Sequence, residues 1–176
     1  MCRLIQIYIL LLLGMQNTFS QVYQTYSFTE NNGLSSYNVH KICQDKYGFS
    51  WIATQDGLNK FDGKDFQQYN KFSTPGLSGN DIRDVTYDSI NDIIWVSSSN
   101  GGVDGLSTEG DKILYRLPVD RIKRLLPDPS VQQIVIIEKS VIALNTPSGV
   151  LIYNFIKSSL LFYIIKTYAS FSAIGF

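Results

Sequence analysis

From residue 38 onward, apolar and polar side chains alternate in runs of four to seven, broken by clusters of Gly, Asp, Asn and Ser. A period of two with such breaks predicts short strands joined by tight turns. The runs fall at residues 38–44, 50–54, 58–61 and 65–70, then 82–87, 93–97, 102–106 and 112–117, and finally 131–137, 141–144, 150–154 and 160–166. Val, Ile, Tyr, Phe, Trp and Thr fill them, as a pleated, half-buried surface favours. No stretch sustains a helical apolar period, so no helix is predicted.

The twelve runs repeat in fours. Gly33-Leu34-Ser35 returns as Gly76-Leu77-Ser78, and Asp45 and Asp88 also stand 43 apart. Trp51 and Trp95 are 44 apart and Gly57 and Gly102 are 45 apart, so the later turns have grown. A weaker third copy, residues 140–155, brings Gly149 47 positions after Gly102 and puts Val141 where the tryptophan stood. Gly48 and Gly57 occupy turns, where a positive φ costs glycine little. Four strands in roughly 40–45 residues is the unit of a β-propeller blade. The fold expected is therefore all-β: about three to three and a half four-stranded blades of an incomplete β-propeller. Blade one would span about 33–75, blade two 76–125 and blade three 126–168. Both tryptophans read as wedges between blades, each burying a large apolar area. Ala53, Thr54, Ser97 and Ser98 suit inner strands crowded near an axis, and residues 22–28 read as an outer strand closing a ring.

The two ends ask for separate treatment. Arg3, an apolar run over residues 4–13 and Thr18-Phe19-Ser20 make residues 1–20 a signal peptide, with cleavage before Gln21. The run is shorter than the roughly 20 residues a membrane helix needs. Cys2 precedes the run and is no lipidation site. Removal of the segment leaves Cys43 as the only cysteine, so no internal disulfide forms, and its alternating setting makes it a buried, inert thiol. Residues 156–176 are apolar, but Lys157 and Lys166 interrupt them, and the repeat register makes 160–166 an outer strand.

Composition narrows the chemistry. Lys+Arg 15 balance Asp+Glu 15, which argues against a surface that tracks nucleic acid. One His and two Cys supply too few ligands for an ordinary zinc site. Asp45, Asp56, Asp62, Asp84 and Asp88 read as turn residues, with no calcium-loop spacing among them. His40, the sole histidine, reads as a surface or edge side chain of blade one. No catalytic, cofactor or metal-binding residue is predicted.

The first repeat closely resembles the two-component regulator propeller repeat. The likeness rests on Gly33-Leu34-Ser35-Ser36, Val39, Ile42, Gln44-Asp45, Gly48-Phe49, Trp51-Ile52-Ala53-Thr54 and Gly57-Leu58-Asn59-Lys60-Phe61-Asp62-Gly63. The second keeps Asp88, Trp95 and Gly101-Gly102 but has Val103-Asp104 where an aromatic is expected. The resemblance implies the periplasmic sensor region of a Bacteroidetes-type hybrid two-component system, with an oligosaccharide as ligand and no enzyme activity in this chain. It also implies a homodimer through propeller or downstream regions, and a membrane attachment only through a helix further along. The alternatives are a fragment of a propeller-based carbohydrate-active enzyme and a protein-binding scaffold. About three and a half units fall short of the four to eight blades that close a propeller. The chain is therefore expected to be a truncated piece of a longer sensor, poorly folded or oligomeric alone, with unpaired edges.

Overall fold

The computed structural model describes residues 25–73, 75–110 and 112–165, with side chains up to residue 160. The predicted signal peptide and residues 166–176 lie outside these. Three four-stranded antiparallel sheets follow one another as meanders. The first holds β1 (Val39–Gln44), β2 (Ser50–Thr54), β3 (Gly57–Phe61) and β4 (Phe66–Tyr69). The second holds β5 (Ile82–Asp88), β6 (Ile93–Ser98), β7 (Val103–Ser107) and β8 (Ile113–Leu117). After a short helix, α1 (Val119–Lys123), the third holds β9 (Gln133–Glu138), β10 (Val141–Thr146), β11 (Gly149–Asn154) and β12 (Ser159–Ile165). Each sheet is one blade. The first strands pack on one another, β1 on β5 and β5 on β9, so they form the inner wall.

Two apolar cores lie between the blades rather than within them. Trp51, Ala53, Leu58 and Tyr69 of blade one meet Ile82, Ile94, Val96 and Leu106 of blade two. Trp95, Val103 and Leu117 of blade two meet Ile134, Ile142, Leu144, Leu151 and Tyr153 of blade three. Each tryptophan is fully buried and stacks on the aromatic ring of its own blade's outer strand. Trp51 lies 5.9 Å from Tyr69 and Trp95 lies 5.8 Å from Tyr115. A strand has two faces, and alternation sends one face to each neighbouring blade.

The recurring Gly-Leu-Ser ties the entries of blades one and two to their third strands. Ser35 N donates to Asn59 Oδ1 at 2.9 Å, and Asn59 Nδ2 returns a 2.7 Å bond to Ser35 Oγ. In blade two, Ser78 N and Oγ both donate to Asp104, which also accepts from Arg116 Nε at 2.6 Å. The buried carboxylate is thus matched by a cation and two hydrogen bonds. Leu34 and Leu77 are buried beside them.

A hydroxyl staple marks the second turn of all three blades and fixes their alignment. Thr54 Oγ1 donates to Gly57 O, Ser98 Oγ to Gly102 O and Thr146 Oγ1 to Gly149 O. At Gly57 the φ of 133° and a Cβ that would stand 2.7 Å from the Tyr69 carbonyl oxygen both demand glycine. Counting back from the staple, Trp51 pairs with Cys43 and Lys60, and Trp95 with Thr86 and Gly105. The matching residue of blade three is Ala143, paired with Val135 and Ile152. The tryptophan's place is therefore taken by Ala143 and not Val141: the Thr146 staple, two residues further along than sequence matching implied, sets the register. By the same count Leu106 stands at the Phe61 position, while Val103-Asp104 match Leu58-Asn59.

Other expectations shift as well. Helix α1 was not anticipated; Pro118 presets its start, and Ile122 and Leu126, four apart, bury themselves in the second core. Ala53, Thr54, Ser97 and Ser98 lie on second strands, not the innermost ones. Of the strand expected at 22–28, residues 25–28 carry no strand pairing, and the remainder lies outside the described residues. The Phe28 ring instead packs at 4.9 Å on Phe61 and 5.6 Å on Phe66. No helix among the described residues is long and apolar enough to cross a membrane.

Candidate functional site

The three innermost strands begin at one end of the wall, and a cavity of about 470 Å³ opens there. Its lining includes His40 of β1, Arg83 of β5, Gln132 just before β9, and Ser99 and Ser130 from the adjoining loops. Val39 and Val131 complete it. His40 and Arg83 stand 43 apart, the same place in successive blades. A bulge at that place in each strand, between Val39 and Lys41 and between Ile82 and Asp84, displaces them from the ladder.

Both basic side chains are held. His40 Nδ1 lies 2.8 Å from Ile82 O, and a carbonyl only accepts, so Nδ1 carries a proton and donates it. Asp81 Oδ1 is 3.5 Å from the same Nδ1. Asp81 Oδ2 accepts from Arg83 Nη2 at 2.7 Å. Asp81 is fixed in turn by its own carbonyl, which accepts from Ser99 N at 2.8 Å. His40 is thus a half-buried, hydrogen-bonded member of the wall, on β1, an edge strand of its sheet, as an edge side chain was expected to be. The β-bulge turns it inward.

Asp84 departs from its expected place in a turn. It lies in β5, is 1% exposed, and joins three blades. Lys41 Nζ of blade one reaches its Oδ1 at 2.5 Å, and Ile134 N of blade three donates to its Oδ2 at 2.6 Å. A buried carboxylate is tolerated because both oxygens are engaged. The other acids do serve turns, Asp88 from the last residue of β5. Asp45 accepts from Tyr47 N and Phe49 N, Asp62 from Lys64 N and Asp65 N, and Asp88 from Ile90 N and Asn91 N. These two backbone bonds hold the Asp62 carboxyl below its ordinary pKa. Among the described residues no three His, Cys, Asp or Glu side chains gather as metal ligands would.

The residues singled out from sequence mark the blades rather than this cavity. Gly33, Leu34, Ser35, Asp45, Trp51, Gly57, Leu58, Gly76, Leu77, Ser78, Asp88, Trp95, Gly102 and Gly149 serve entries, turns and blade interfaces. Gly48 and Phe61 lie at a turn and in β3. The signal that would have found the cavity is the bulged position itself, read down the repeat: a basic residue at 40 and again at 83.

Comparison with known proteins adds a class to this geometry. No protein-family model matches the chain. Over 43 residues, 24% of this chain and 3% of the relative, it is 56% identical to histidine kinase P4 of Formosa agariphila. The extracellular domain of a hybrid two-component system of B. thetaiotaomicron matches over 78% of this chain, with a TM-score of 0.66 and 28% identity. The likeness is to two-component sensors. That is the resemblance carried by the first repeat. The chain spans 20% of the length of that solved extracellular domain. The WD40 β-propeller domain of Doa1 shares the fold alone, with a TM-score of 0.56 and 12% identity over 72% of this chain and 40% of that one.

Proposed function

We propose that these blades belong to the periplasmic, ligand-sensing propeller of a two-component sensor, that the ligand is an oligosaccharide, and that the chain itself performs no catalysis. The likeness to a two-component extracellular domain supports this reading most, at 28% identity over 78% of the chain. The cavity at the inner strand ends adds to it: hydroxyl, amide, imidazole and guanidinium groups converge there from three blades. Such groups read sugar hydroxyls. Asp81 and Asp84, the acids nearest the wall, are spent on Arg83, His40, Lys41 and Ile134 N, which suits architecture better than proton transfer. Hydrolysis of a glycoside needs two carboxyls free to act on one bond.

The test is a thermal-shift screen of the full chain against oligosaccharides, with chromatography of each mixture afterwards. A sugar that raises the melting temperature and is recovered intact supports the sensor. Cleavage products would transfer the case to an enzyme. A second reading, an interaction scaffold or homodimer surface, is favoured by Val135 and Ile137 of β9, which are 44% and 47% exposed on an apolar strand. Light scattering of the purified chain, followed by substitution of both with Thr, tests it: loss of an oligomer supports the surface, and an unchanged monomer excludes it.

A further inference from the structure

We propose that the cavity at the starts of β1, β5 and β9 takes an acidic saccharide, with Arg83 holding a carboxylate of the sugar and His40 beside it. The inference rests on the sensing reading above and adds the charge class of the ligand.

The lining decides between neutral and acidic sugars. Neutral sugars gain much of their affinity by laying a C–H face on a large aromatic ring, and the residues that line this cavity include no Phe, Tyr or Trp, the His40 imidazole being the one small ring among them. Polar contacts must supply the binding. Arg83 is the strongest donor there: its side chain is 48% exposed, and the one side-chain bond it makes among the described residues, Nη2 to Asp81, leaves most of its five N–H groups available. A guanidinium fork held at one corner presents the others in the geometry of a carboxylate.

The acids that might repel such a ligand are committed elsewhere. Among the described residues no carboxylate lines the cavity. Asp81 stands behind Arg83 and His40 and keeps the guanidinium oriented, and its Oδ1 has no hydrogen-bond donor besides the His40 contact at 3.5 Å. Asp84 is neutralised by Lys41. Ser99, Ser130 and Gln132 of the same lining offer hydroxyl and amide groups that match ring hydroxyls. The volume, about 470 Å³, lies within the roughly 300–1,000 Å³ of small-molecule sites.

The test is calorimetry on the full chain with a trigalacturonate, its methyl ester and a sulfated trisaccharide, each also titrated into Arg83→Gln and Arg83→Lys. The uronate should bind at least about tenfold more tightly than the ester, and its affinity should fall with added salt. Arg83→Gln should bring it to the ester's level, and Arg83→Lys should recover only part, because charge returns without the fork. Melting curves of both variants establish that they fold. Equal affinity for acid and ester, or an Arg83→Gln variant that binds the uronate normally, overturns the acidic assignment and leaves the sensing reading intact. A preference for the sulfated sugar overturns the carboxylate. A chain that binds neutral sugars but no uronate refutes the inference alone, whereas one that binds no saccharide refutes both.

Discussion

Trp51 Nε1 donates a 2.8 Å hydrogen bond to Asp45 Oδ2, joining the wedge between blades one and two to the turn that begins its own hairpin. Asp45 is 5% exposed, and its other oxygen accepts from Tyr47 N at 2.9 Å and Phe49 N at 3.1 Å. One carboxylate therefore orders a turn and orients a buried indole. Blade two lacks this bond. Its turn is one residue longer, and Asn91 Nδ2 takes Asp88 Oδ2 at 2.8 Å while also reaching Lys139 O of blade three at 2.7 Å. Trp95 Nε1 meets no acceptor among the described residues.

That contrast gives the first prediction. Asp45→Ala strands three donors and should cost about 3 kcal/mol, with Asp45→Asn costing less because one acceptor survives. Trp51→Phe should cost about 1 kcal/mol more than Trp95→Phe, since only the former loses a hydrogen bond. Urea unfolding of the four variants measures this. Equal costs for the two Trp→Phe changes would show that the Asp45 bond contributes nothing net.

These two turns also mark how far the sequence could be read. The strands were legible because alternation and Gly or Asp turns are local, and the order Asp, Trp, Gly of Asp45, Trp51 and Gly57 returns in the second copy as Asp88, Trp95 and Gly102, with each interval one residue longer. The third copy was mis-set by two residues because its Trp is Ala143, and the feature that truly aligns it, the Thr146 staple to Gly149, carries little weight in a pattern of large side chains. Asp84 looked like another turn acid because nothing near it in sequence shows Lys41 or Ile134, 43 and 50 positions away. The cavity was hidden for the same reason: His40, Arg83 and Gln132 meet only once three blades stand side by side.

Gly105 lies opposite Trp95 on β7, where blade one has Lys60 opposite Trp51. A Cβ there would stand 2.9 Å from Cζ3 of the indole and about as near two more atoms of its six-membered ring. Gly105→Ala should destabilise the chain by about 1–3 kcal/mol through overpacking. In a Trp95→Phe background the smaller ring recedes, so the penalty should shrink and the two changes should be non-additive. A double-mutant cycle by denaturant titration checks it. Full additivity would place the strain elsewhere.

Cys43 sits on β1 behind Trp51, and burial pushes its thiol up to about 11, partly countered by Lys41. Folding thus favours the neutral thiol. This contribution is intact below the ordinary value near 9 and is lost as pH rises through about 11. In a Cys2→Ser chain, iodoacetamide at pH 8 should label native Cys43 about a hundredfold more slowly than the urea-unfolded chain, the ratio of the two thiolate fractions. Comparable rates would mean that the inner strand opens readily.

Asp92 joins the first turns of blades one and two. Its Oδ2 meets Lys46 Nζ at 3.0 Å and Tyr47 Oη at 3.1 Å, and its Oδ1 accepts from Tyr87 Oη at 3.0 Å. Burial works to raise its pKa, but the bonds from Lys46, Tyr87 and Tyr47 outweigh it and leave the carboxyl below the ordinary 3.8, while Asp92 and Tyr47 raise the Lys46 pKa. A lowered carboxyl stabilises the fold above its unfolded value and ceases to do so as pH falls through the native one, so this contact should fail below about pH 4. Asp92→Asn is the apt probe, because Asn tolerates the residue's φ of 60° as well as Asp does. Melting curves from pH 7 to 2.5 should show the wild type ahead at neutral pH and the difference closing in acid. Salt should narrow the gap too, because the Lys46 side chain is 52% exposed. A gap that persists unchanged at pH 2.5 would mean that the hydrogen-bond geometry at Asp92, rather than its charge, holds the two turns together.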